Sequence, residues 1–113
     1  MHELSLSRSI LDNVLEKSHS QPEQRIYLIC LRIGKLMRVD QQALRFGFEV
    51  LARGSVAEGA ELKVEEVPAQ AECTNCAKRF TLDNYFDPCP YCQTHGARVL
   101  QGEEMIIQSM EMA

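Results

Sequence analysis

At 113 residues the chain is long enough for one modest hydrophobic core with a small satellite beside it. Apolar residues at 45% and charged residues at 25% match an ordinary globular protein and exclude wholesale disorder. A formal net charge of −4 argues against a nucleic-acid binder, because a phosphate surface repels such a chain overall.

No basic stretch leading into an apolar core opens the sequence, so no cleaved secretory signal is expected. The longest apolar run, IYLICL at Ile26 to Leu31, falls far short of the roughly 20 residues that cross a bilayer. The expected location is the cytoplasm, with no membrane association. In that reducing compartment the five cysteines are better metal ligands than disulfide partners.

Leu4, Leu11 and Leu15, with Ile10 and Val14 beside them, recur at helical spacing and predict a first helix. Its solvated side carries Asp12, Glu16 and Lys17, and the polar KSHSQPE ends it in a loop that leaves His19 facing solvent. RIYLICLRIG is apolar on both faces: Tyr27, Ile29, Leu31 and Ile33 on one, Leu28 and Cys30 on the other. That predicts a central strand in which Cys30 is a small buried hydrophobe. Asp40 is placed to cap a second helix in DQQALRFGFEVLARG, whose core stripe is Leu44, Phe48 and Leu51 and whose stop is Gly54. AELKVEEV alternates like a half-buried strand, and EEMIIQSMEM reads as another, with Ile106, Met110 and Met112 inward. No internal repeat is visible.

The order helix–strand–helix–strand–insert–strand predicts an α+β fold, two helices packed on a small mixed sheet with an inserted zinc-ribbon-like satellite. The expected division is one domain of residues 1–70 and 103–113, and a second of residues 71–102 inserted between strands. The second stretch has few large aliphatic residues and holds four of the five cysteines.

Those four fall in ECTNC and PCPYC, so Cys73 and Cys76 pair with Cys89 and Cys92 across twelve residues. Two residues between cysteines let a tight turn aim both thiolates at one ion, and two such turns complete a tetrahedron. Soft thiolates at this spacing favour Zn²⁺, though spacing alone also admits a single iron. Four protein ligands leave no position for water, so the ion is structural. A thioredoxin-like redox pair is the weaker reading, since two such pairs sit in a segment with almost no core of its own. The segment carries Lys78, Arg79 and Arg98 against Asp83 and Asp87, too thin a charge to track a nucleic-acid backbone. Phe80, Tyr85 and Phe86 are instead expected to cover the metal knuckles.

The opening MHELSL places His2 beside the terminal amine. The bulk of His2 disfavours removal of Met1, which then keeps a free α-amine. That amine, the His2 amide nitrogen and His2 Nδ1 close two fused chelate rings on one ion. A nitrogen-rich, tetragonal set of this kind suits Ni²⁺ or Cu²⁺. Binding expels protons, so affinity falls as pH drops. Glu3 adds a carboxylate and a further backbone nitrogen, and Asp40 is a possible extra ligand whose capping role already explains it.

With both sites in view, the chain resembles the HypA/HybF family of nickel-delivery proteins for nickel–iron hydrogenase maturation. MHELSL, LRIG, LRFGFEVLARGSVAEGAEL and the two CxxC pairs carry the resemblance nearly end to end. It implies nickel at the N-terminus through His2, and structural zinc at Cys73, Cys76, Cys89 and Cys92. It also implies transfer towards the hydrogenase large subunit with a partner GTPase. No nucleophile–base pairing, phosphate loop or open catalytic metal site stands out in the sequence, so catalysis by the chain itself is not expected. Many relatives place a histidine directly after the last metal cysteine. Here Gln93 and Thr94 intervene before His95, which reads as a surface loop residue beside Gly96. A zinc-ribbon interaction module with an idle terminus is the alternative function, and the chain is compatible with a monomer or a homodimer.

Overall fold

Asp40 begins α2 (Gln41–Ala52) as the sequence predicts: its Oδ1 accepts from the amides of Gln42 and Ala43 at 3.0 and 3.2 Å. The helix stops before Gly54, which takes a φ of 81° that a side chain would oppose. The computed structural model to which this helix belongs describes residues 3–113. In chain order its elements are α1 (Glu3–Lys17), β1 (Ile26–Gly34), a single 3-10 turn (Lys35–Met37), α2, β2 (Glu61–Val67), β3 (Ala69–Glu72), β4 (Arg79–Leu82), β5 (Arg98–Gln101) and β6 (Met105–Met112).

These elements divide into two compact units. The first takes the chain up to Leu31 together with Val39–Glu65 and Ile106–Ala113; the second takes Arg32–Arg38 and Glu66–Met105. In the first, α1 packs against α2 through two small residues. The Ser7 hydroxyl donates to the Leu44 carbonyl at 2.8 Å, and a Cβ on Gly47 would lie 2.9 Å from that same Oγ. Ile10, Leu11, Val14, Leu44 and Phe48 are buried along this pairing. Because polar Ser7 turns into the seam, the inward face of α1 rotates towards Leu6. Leu4 then stays 60% exposed and Leu15 half-buried, a correction to the predicted face. Leu51 of α2 is likewise half-buried, with Ala52 fully inside.

β1 is the middle strand of a sheet ordered β2-β1-β6, as its apolar run predicts. Reciprocal bonds between Arg25 and Ala113, at 2.8 and 2.9 Å, set the start of β1 antiparallel to the end of β6. Ile29, Leu31 and Ile33 are buried, while Leu28 and Cys30 opposite them are only half-buried. Tyr27 is exposed because Ile26 takes the inward place at the strand's start. On β6 the alternation breaks at Gln108 and Ser109, both exposed. Met110 and Met112 are half-buried as expected, but Ile107 replaces Ile106, which is 46% exposed.

The second unit is built on a three-stranded antiparallel sheet ordered β4-β3-β5, which the sequence pattern does not announce. Its registers pair Ala69 with Leu82 and Ala71 with Phe80, small against large on one face. On the other face Gln70 bonds Thr81 at 3.0 Å, and Glu72 meets Arg98 at 3.0 Å. The buried face joins Leu36 from the 3-10 turn and two cysteines, so the unit does own a small core. Leu36 is brought there by backbone bonds from Gly34 to Glu104 and from Leu36 to Gly102, both 2.9 Å. The two segments cross so closely that a Cβ on Gly34 would lie 2.2 Å from the Gly102 carbonyl carbon.

Candidate metal centre

Two short turns of the second unit, one at each CxxC, are built alike. In the first, the Cys73 carbonyl accepts from the Ala77 amide at 3.0 Å and the Cys73 amide donates to the Lys78 carbonyl at 2.9 Å. In the second, Cys89 makes the same two bonds with Gln93 and Thr94, at 2.8 and 3.0 Å. Each turn needs one left-handed residue to reverse the chain, and these are Ala77 (φ 63°) and Gln93 (φ 64°). Backbone amides of Asn75 and Cys76 then point at Cys73 Sγ (3.3 and 3.4 Å), and that of Tyr91 at Cys89 Sγ (3.4 Å). CTNCAK and CPYCQT share only their cysteines, which is why this structural repeat is invisible in the sequence.

A left-handed conformation costs a residue with a side chain roughly 1–2 kcal/mol, a penalty glycine avoids at some expense in unfolded-state entropy. Ala77→Gly and Gln93→Gly are each expected to stabilise the second unit by up to about 1 kcal/mol, read as a raised denaturant midpoint. Unchanged or lowered midpoints in both would contradict the assigned turn geometry.

The four sulfurs fit a tetrahedral ion. All lie within 4.8 Å of one another, with Cys73 and Cys92 at 3.5 Å and Cys76 and Cys89 at 3.7 Å. A Zn–S bond of about 2.3 Å at the tetrahedral angle places sulfurs about 3.8 Å apart. All five cysteines are free thiols. Cys73 and Cys89 are buried and Cys76 and Cys92 half-buried, so the group sits at the edge of the small core. No other group of three or more His, Cys, Asp or Glu is assembled for a metal among the described residues.

Without an ion the thiols are unequal. The Thr94 hydroxyl, then its backbone, then the Asn75 side-chain amide hold Cys92 down at about 5. Cys76 is pushed up to about 11: the Lys78 backbone amide works against the rise, but burial and the sulfurs of Cys89, Cys73 and Cys92 outweigh it. Thr94 (3.4 Å) and Asn75 (3.6 Å) are therefore supporting groups for Cys92, and neither was singled out from the sequence. The only signal was their position beside a metal cysteine, which no pattern distinguishes from ordinary turn residues.

Phe80 is buried in the core, but Tyr85 is half-exposed and Phe86 is 87% exposed, so only Phe80 shields the centre. Tyr91 instead carries the Lys78 ammonium over its ring at 4.8 Å. His95 is exposed, with Nδ1 3.2 Å from the Phe86 carbonyl oxygen, a contact that places the proton on Nδ1. His19 is exposed. Met1 and His2 lie outside the described residues. Glu3 opens α1, and its Oε2 accepts from the Asp40 amide at 3.0 Å.

The model of the family described as "Hydrogenase/urease nickel incorporation, metallochaperone, hypA" matches residues 1–112. The chain belongs to the HypA family. It is 43% identical over 112 residues, 99% of each chain, to the hydrogenase maturation factor HypA of Acidithiobacillus ferrooxidans. To the factor of the same name from Geobacter metallireducens it is 41% identical, again over 99% of each. Its fold matches the solution structure of the nickel metallochaperone HypA from Helicobacter pylori with a TM-score of 0.71, at 25% identity, covering 99% of this chain and 97% of that one. The α+β fold with two helices, small sheets and a zinc-ribbon-like four-cysteine region is thus the HypA fold. HypA proteins are nickel metallochaperones, and the four-cysteine group here fits a structural zinc site. No described helix is long and apolar enough to cross a membrane.

Proposed function

We propose that the chain binds Ni²⁺ at its N-terminus, through the Met1 amine, the His2 amide and imidazole, and Glu3, and delivers the ion to the large subunit of nickel–iron hydrogenase. A nickel-handling GTPase assists the transfer, which takes place in the cytoplasm, and the chain catalyses no reaction itself. Labour is divided: the first unit carries nickel, while the second holds zinc at Cys73, Cys76, Cys89 and Cys92. The observation that supports this reading most is the match over residues 1–112 to a family described by nickel incorporation.

The chemistry is consistent with cargo on one site and architecture on the other. Four thiolates surround their ion completely, which suits retention. A chain-end chelate is built from neighbouring atoms, so its donors detach one after another when an acceptor offers replacements. Nickel-loaded protein mixed with the metal-free large subunit, the GTPase and GTP tests the reading. Nickel is expected on the large subunit by native mass spectrometry, with zinc remaining on the chain. If nickel stays on the chain, or reaches the subunit no faster than free nickel does, delivery is refuted and a zinc-ribbon interaction module is the better account.

A further inference from the structure

The amide of Asp40 sits at the N-cap of α2, where a glutamate or glutamine at the third helical position commonly reaches back to accept it. Here that third position is Ala43, which has no acceptor. The acceptor comes from the other helix: Glu3 Oε2, 3.0 Å from the Asp40 nitrogen. One turn further along both helices, Ser7 donates to the Leu44 carbonyl at 2.8 Å. Glu3 and Ser7 are four apart on α1, and Asp40 and Leu44 four apart on α2, so the two polar stitches lie on facing stripes. Together they fasten the first turn of α1, the turn next to the proposed nickel residues, onto the start of α2.

We infer that Glu3 is a positioning residue for nickel: its carboxylate completes the cap of α2 and anchors the turn whose main chain continues into the nickel site. This rests on the N-terminal nickel site proposed above and deepens it. Were the carboxylate to leave for the ion, the Asp40 amide would lose its acceptor and the first turn of α1 its anchor. The stitch also fixes Glu3, the residue next to the Met1–His2 chelate in the chain, before nickel binds.

Three proteins with an untagged Met1 separate the roles: wild type, Glu3→Gln, which keeps an acceptor oxygen but loses the charge, and Glu3→Ala, which loses both. Nickel affinity is measured by calorimetry, and hydrogen exchange at the Asp40 amide by NMR on the metal-free proteins. The stitch predicts that Gln matches wild type in both readouts. Ala should show fast Asp40 exchange and nickel binding about tenfold weaker, the scale of losing a supporting partner in a metal site. A carboxylate ligand predicts instead that Gln loses nickel as fully as Ala, and that result overturns the inference. So does Ala that binds nickel, or exchanges at Asp40, like wild type. Failure of the nickel site itself shows separately, as wild type whose nickel binding is indifferent to His2→Ala, and the exchange data would still report on the stitch.

Discussion

Replacing His2 with alanine, or adding a residue ahead of Met1, is expected to abolish stoichiometric nickel binding while zinc content and helicity persist. At the heart of the proposed site, beside Glu3, three nitrogens form one chelate: amine, amide and imidazole. Alanine removes the imidazole and with it one whole chelate ring. An added residue converts the basic amine of Met1 into an amide and moves the free amine away from the histidine. Either change removes a direct ligand, so the loss should exceed the roughly 100-fold upper range seen when a merely supporting partner is removed. Among the described residues the buried side of α1 begins at Leu6, beyond both changes. Calorimetry on all three proteins, with zinc content and circular dichroism as controls, checks the prediction. Unchanged affinity in both variants would place nickel elsewhere.

Removing zinc is expected to unravel the second unit and to leave α1 and α2 folded. The unit's core contains only three large side chains, Leu36, Phe80 and Leu82, among alanines and cysteines. Each large side chain contributes roughly 1.5–3 kcal/mol, whereas a structural zinc contributes about 10 kcal/mol or more at neutral pH. The metal therefore decides whether β3, β4 and β5 stay paired. Cys73→Ser or Cys89→Ser, each at a buried position, should have the same effect as a strong chelator. The pH dependence follows from the thiols. Cys92, at about 5, is already ionised at neutral pH, while Cys76, at about 11, must give up its proton to the incoming ion. Affinity for zinc therefore falls as pH drops, and more steeply below about 5, where Cys92 too must be deprotonated. Amide exchange across β3–β5, compared with α1 and α2 before and after chelation, reads the result. A second unit that keeps its protection without metal would show that its core suffices alone.

Features written in local chemistry were legible in the sequence. Asp40 and Gly54 bound α2 through backbone conformation and amide capture, and the double CxxC specifies its own assembly. Features set by partners distant in the chain were not. Leu36 reads as an unremarkable loop residue until Gly102 pairs with it and carries it into the second core. β3 is AQAE, a poor strand by propensity, held because its alanines leave room for Phe80 and Leu82 opposite. Leu4 shares its helical spacing with Leu11 and Leu15, yet the small pair Ser7 and Gly47 decides which way α1 turns. In the metal centre the ligands were readable, but Thr94 and Asn75 were not, since their effect on Cys92 depends on where the turn aims them.

X-ray absorption at the nickel edge tests the central claim most directly, on zinc-loaded protein with its native Met1 and one equivalent of nickel. Nitrogen and oxygen scatterers alone, including an imidazole signature that His2→Ala removes, are the result predicted. Sulfur in the nickel shell, with the spectrum unchanged by that substitution, would contradict it.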